Sequence, residues 1–192
     1  EYVSLEHIVH EMRLIKSKAE VALMREAARV TAAAHERLLS VIRPGLFEYQ
    51  VEAELLYDFR RHNGEPAYPI IAGSGANACV LHYIANQDEL RDGDLILIDA
   101  GVELDGYAAD ITRTIPVSGR FTDEQRLIYQ LVLDAQRAAL AEVRPGNHWN
   151  AGHEAATQVL AEGMVELGLL SGSVDDVIES GDYRQFFMHR TG

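Results

Sequence analysis

Three observations predict an α+β fold for this 192-residue chain. Two long amphipathic stretches each run into an Arg-Pro-Gly stop, at 43–45 and 144–146. An apolar run, Leu95-Ile96-Leu97-Ile98, reads as a strand. Asp105-Gly106, between that run and Ala109-Asp110-Ile111-Thr112-Arg113-Thr114, is a strong signal for a type I′ hairpin.

The elements follow in order. Ser17 with Glu20 forms a capping box, so a helix is predicted over 17–42, stopped at 43–45. A second helix spans 47–62 and ends at Asn63-Gly64. Residues 67–75 read as a strand running into the turn Gly73-Ser74-Gly75, and Val80-Leu81-His82-Tyr83 as a short strand. The hairpin covers 95–117. Thr122 and Gln125 cap a helix to 143, another helix spans 150–167, and a loop containing Gly172 and Gly181 leads to a strand near 184–189. The order helix, Arg-Pro-Gly, helix, strand occurs twice at an offset of 101, which also superimposes Val30 on Leu131 and Leu39 on Leu140. Internal duplication explains that order better than chance. It divides one domain into a first half at about 15–120 and the start of a pseudo-symmetric second half at about 121–192.

Composition narrows the function. The chain is 47% hydrophobic, enough for a core, and carries a net charge of −13. Without a basic patch, nucleic acid and anionic membrane are not expected partners. One cysteine, Cys79, allows no internal disulfide and fits a reducing cytoplasm. No apolar run approaches the ~20 residues of a membrane span, and no signal peptide is visible. The chain starts at Glu1 and stops after Phe186-Phe187-Met188, so both ends read as cut.

The chemistry centres on Asp99 and Asp110. If Asp105-Gly106 forms the loop, Leu104 pairs with Tyr107, Gly101 with Asp110 and Asp99 with Thr112. The two aspartates are then diagonal neighbours on one face, with Cβ atoms about 7–8 Å apart or somewhat less. That spacing is too wide for a direct carboxylate pair and suits two metal ions roughly 3.5–4 Å apart. A carboxylate after an apolar strand is costly to bury unless paired or metal-bound. Asp94 and Asp105 read as turn residues. The bland alternative for Asp110 is a carboxylate facing water. Ile98-Asp99-Ala100-Gly101 loosely resembles the Asp-Thr-Gly of aspartic proteases, but nothing repeats it with the expected loop.

His82 and His189 each sit in an apolar run, where a lone histidine is more often a packed core residue than a catalyst. Histidine is nevertheless the usual proton donor or acceptor near neutral pH. His7, His10, His35, His62, His148 and His153 have mostly polar neighbours and read as surface or helix-face residues. Arg113 either braces the aspartates or is a plain surface cation.

Together these motifs resemble the pita-bread metallopeptidases, and within them the Xaa-Pro aminopeptidases. The signature covers Leu95 through Thr114, with Gly73-Ser74-Gly75, Leu81-His82-Tyr83 and Phe187-Met188-His189 in the right order. The resemblance implies an incomplete pita-bread fold and a dinuclear site, usually Mn2+, built from two Asp, one His and two Glu. It places the two Asp at Asp99 and Asp110, a catalytic histidine at His82 and a substrate-binding histidine at His189. The metal-binding His would fall one residue past Gly192, with both Glu further on, so this chain is expected to be an inactive fragment of a truncated catalytic domain. The implied activity is metal-dependent hydrolysis releasing the N-terminal residue from peptides with proline second, by a homo-oligomer when complete. Two other readings stay open: a prolidase-type Xaa-Pro dipeptidase, and a metal-free peptide-binding module on the same fold.

Overall fold

A computed structural model describes residues 4–187. His189 therefore lies outside the described residues. The chain forms two compact units that part between Arg120 and Phe121.

The first unit opens with helix α1 (Glu6–Leu14), which buries none of its residues. Helix α2 (Lys18–Val41) starts at the expected capping box: Ser17 Oγ accepts from the Glu20 amide while the Glu20 carboxylate accepts from the Ser17 amide. Its Ala27, Val30, Thr31, Ala34, His35 and Leu38 form one buried stripe, the i, i+3, i+4 pattern of a core-facing helix. Helix α3 (Glu48–Arg61) packs on α2, joined by Arg37, which bonds Asp58 and Glu54 at 2.6 Å each.

The predicted strand at 67–75 is split. Its ends become β1 (Glu65–Pro66) and β2 (Ile71–Ser74), with a bend at 67–68 between them. Pro69 carries no amide hydrogen for a ladder there. The hairpin strands are β3 (Leu95–Ala100), β4 (Val102–Leu104), β5 (Tyr107–Ala108) and β6 (Ile111–Pro116). They build two three-stranded antiparallel sheets, β2-β3-β6 and β1-β4-β5. One hairpin thus serves both sheets and changes from one to the other at Gly101. A Cβ at Gly101 would overlap the Ala109 carbonyl, so only glycine permits that crossing.

The hairpin register is the one expected from Asp105-Gly106. Leu104 pairs with Tyr107 and Asp99 with Thr112. Asp105 (φ 49°) and Gly106 (φ 84°) both adopt the left-handed conformation of a type I′ turn. Ile96, Ile98 and Ala100 are fully buried with α2 and α3 residues in one core, while Leu95, Leu97 and Asp99 on the alternate face are half-buried. At the crossing, the Val102 amide donates to Thr31 Oγ1 at 3.0 Å, so α2 satisfies a strand amide that the change of sheet would orphan.

One sequence expectation fails here and another is narrowed. Residues 80–83 are not a strand: Gly75–Cys79 is a 3₁₀ helix and a turn at 81–82 follows. His82 has a φ of 54°, incompatible with an extended strand. Of the two readings of His35, surface or helix-face, the second holds: it lies on the buried stripe of α2 and is 6% exposed.

The second unit holds α4 (Asp123–Ala141), α5 (Asn150–Glu166) and α6 (Val174–Ser180). Thr122 and Gln125 make the expected capping box. Instead of the loop expected before residue 184, α6 forms on a Ser173–Asp176 capping box and stops at left-handed Gly181. The strand expected near 184–189 is absent from its described part: Asp182–Gln185 is a 3₁₀ helix. An offset of 101 carries buried Ala34, Leu38, Leu55 and Phe59 onto buried Ala135, Ala139, Ala156 and Leu160. It also carries Gly45 (φ 86°) onto Gly146 (φ 94°).

Thr31→Val tests the crossing. It keeps shape but leaves the buried Val102 amide unsatisfied, which costs about 1–3 kcal/mol. Urea unfolding should show the midpoint lowered with an unchanged slope. An unchanged midpoint would mean that the amide finds another acceptor.

Candidate metal centre

Asp99 is the penultimate residue of β3 and Asp110 lies just before β6. Their convergence is fixed from a third direction. β1 pairs Pro66 with Val102, the Ala67 amide donates to the Gly101 carbonyl at 2.9 Å, and Tyr68 is carried beside the crossing. The Tyr68 hydroxyl contacts Asp99 Oδ1 at 2.7 Å and Asp110 Oδ1 at 2.8 Å. Those two oxygens are therefore no further apart than the sum of the two contacts, a span compatible with ions roughly 3.5–4 Å apart. Burial, followed by the bonds to Asp99 and Asp110, pushes the Tyr68 phenol far above its ordinary range, so it is a neutral donor. Nothing in the sequence links Tyr68 to a hairpin 31 residues further on. Only a strand pairing shows the connection, and sequence reasoning missed it.

The donor set fits a hard cation. A carboxylate offers about four lone-pair sites. Among the described residues each aspartate accepts from Tyr68 alone, through one oxygen, which leaves the other oxygen open. Oxygen donors of this kind suit Mn2+, Mg2+ or Ca2+. No group of three or more His, Cys, Asp or Glu side chains suited to a metal occurs among the described residues. Two carboxylates are thus what this segment brings together.

Arg113 does not brace the pair. Its guanidinium donates to the Thr112 carbonyl at 2.7 Å. His35 lies behind the crossing, where burial lowers its pKa and the nearby Ala100 and Ile111 backbone offsets that only in part. Neither ring nitrogen has a hydrogen bond of good geometry among the described residues, and the neutral ring acts as packing. His82 stands exposed on the long connection between β2 and β3.

The chain resembles known proteins along most of its length. The pattern of metallopeptidase family M24 matches residues 22–192. An Xaa-Pro aminopeptidase of Escherichia coli is 49% identical over 183 residues, 95% of this chain and 42% of its own length. The solved structure of the Pseudomonas aeruginosa aminopeptidase PepP superposes with a TM-score of 0.97 at 54% identity, over 99% of this chain and 43% of that one. A zinc-substituted E. coli aminopeptidase P in complex with product superposes at 0.95 with 47% identity, over 98% and 43%. The chain spans less than half the length of these relatives. No helix among the described residues is long and apolar enough to cross a membrane. With the family pattern running from residue 22 to the last, and the fold shared with aminopeptidase P structures, the chain belongs to metallopeptidase family M24 and carries part of its pita-bread fold.

Proposed function

We propose that the complete protein is a metal-dependent aminopeptidase that releases the N-terminal residue from peptides with proline in second position. One observation carries the reading: Asp99 and Asp110 converge through Tyr68 in a chain nearly half identical to an Xaa-Pro aminopeptidase. The second unit is the beginning of a pseudo-symmetric second half, supported by the burial pattern at an offset of 101.

Asp99 and Asp110 would hold two divalent ions, Mn2+ by family resemblance, with the remaining ligands from outside residues 4–187. Such ions, when bound, make water a competent nucleophile at neutral pH and polarise a carbonyl. Tyr68 donates its hydroxyl hydrogen to the carboxylates and so fixes their orientation, as partners behind a ligand commonly do. His82 hydrogen-bonds the substrate or moves a proton near the scissile bond. His189, by resemblance, contacts substrate. The single exposed thiol, Cys79, suits a reducing cytoplasm.

The direct test is peptide hydrolysis by the full-length protein with Mn2+. Release of the first residue from an Xaa-Pro tripeptide is expected. Cleavage restricted to Xaa-Pro dipeptides would favour the prolidase-type activity instead. Asp99→Ala or Asp110→Ala should abolish turnover and reduce bound metal while the protein stays folded; wild-type turnover in either removes this mechanism.

His82→Ala should lower kcat by about 10²–10⁴-fold, the usual loss for an acid–base group, with metal content unchanged. Loss of metal in that variant would make His82 a ligand.

Tyr68→Phe should weaken metal affinity by about 10–100-fold, read by calorimetric titration with Mn2+. An unchanged affinity would show that the hydroxyl does not orient the aspartates.

A further inference from the structure

The connection between β2 and β3 presents His82, yet apolar burial does not hold it there. Val80, Leu81 and Ile84 are 54%, 56% and 59% exposed. His82 itself adopts a left-handed φ of 54°, uncommon for a residue with a side chain. Such a conformation persists only where its surroundings impose it.

The chain on either side of His82 is tied to a buried carboxylate. Glu48, the first residue of α3, is 0% exposed. Its Oε1 accepts from the Ser74 amide at 2.7 Å and Asn77 Nδ2 at 3.0 Å. Its Oε2 accepts from the Tyr83 hydroxyl at 2.7 Å and the Asp88 amide at 3.0 Å. Those donors come from the start, the middle and the end of the connection. Tyr83, adjacent to His82, is also met by Asn77 Nδ2 at 3.0 Å. Burial alone would push the Glu48 carboxyl up, but the bonds from Ser74, Asn77, Asp88 and Tyr83 outweigh it and hold the pKa below the usual carboxylate value. One turn along α3, Glu52 accepts from Asn86 Nδ2 at 2.9 Å. The Asn86 side chain also accepts from the Ala72 amide and donates to the Ile70 carbonyl. The returning chain is thereby tied to β2.

We propose that Glu48 is a positioning residue for His82: by gathering Ser74, Asn77, Tyr83 and Asp88 onto one buried carboxylate, it sets where His82 meets the peptide substrate. This rests on the reading of His82 as the group that acts on substrate. A merely structural Glu48 would support the fold without regard to His82, and the two roles separate in a double-mutant cycle.

The test uses full-length protein with Mn2+ and an Xaa-Pro tripeptide, comparing wild type, Glu48→Gln, His82→Ala and the double variant. Glu48→Gln keeps the shape but turns an NH2 group toward donors. It should lower kcat by up to about 10²-fold, the scale of a small misplacement, with KM and bound metal little changed. In the His82→Ala background the same substitution should lower kcat no further. Equal losses in both backgrounds would overturn the proposal, as would wild-type kcat in Glu48→Gln. If Glu48→Gln does not fold, Tyr83→Phe removes a single donor and should show a smaller loss with the same dependence on His82; no loss, or an equal loss without His82, overturns it. Wild-type kcat in His82→Ala alone would overturn the reading of His82, and Glu48's role with it. A slow His82→Ala beside a fast Glu48→Gln refutes only the latter.

Discussion

The candidate site depends on the crossing of one hairpin between two sheets at Gly101. Asp99 lies just before the crossing on β3, and Asp110 immediately precedes β6 on the returning chain. The register that pairs Asp99 with Thr112 also puts Ile96 and Ile98 into the core. A slip of one residue would exchange the faces, driving Asp99 against α2 and α3 and Ile98 outward. Core packing therefore enforces the position of the carboxylate. Thr31 satisfies the amide at the turn of the strand, and β1 delivers Tyr68 to both aspartates.

How much of this was legible in the sequence follows from the range of each interaction. The capping boxes at Ser17 and Thr122, and the turn at Asp105-Gly106, are local and sat where the residues placed them. The hairpin register followed from the turn alone, so the facing of Asp99 and Asp110 was legible too. The failures are long-range. Residues 80–83 have the composition of a strand, but Tyr83 bonds Glu48, 35 residues upstream, and His82 takes a left-handed φ of 54°. His35 has charged neighbours in sequence, yet lies on the stripe of α2 that faces the core. Tyr68 and Glu48 carry no local mark of their roles, because each role consists of partners brought in from elsewhere. The α6 capping box at Ser173–Asp176 is a local signal too, set between Gly172 and Gly181, which mark a loop.

Glu48 and the two aspartates show how the same functional group acquires opposite duties. The Glu48 carboxylate is closed: two donors on each oxygen use its lone-pair sites, and it is sealed from solvent. A cation could displace those donors only by releasing the connection they hold. Asp99 and Asp110 instead take one shared donor, Tyr68, and stand at the half-buried to exposed edge of the sheet. The oxygens that Tyr68 does not contact keep lone pairs that a divalent cation could use. Counting donors therefore distinguishes a carboxylate that organises protein from one available to a metal. By that count, α3 supplies the organiser for the connection bearing His82, and the hairpin supplies the ligands.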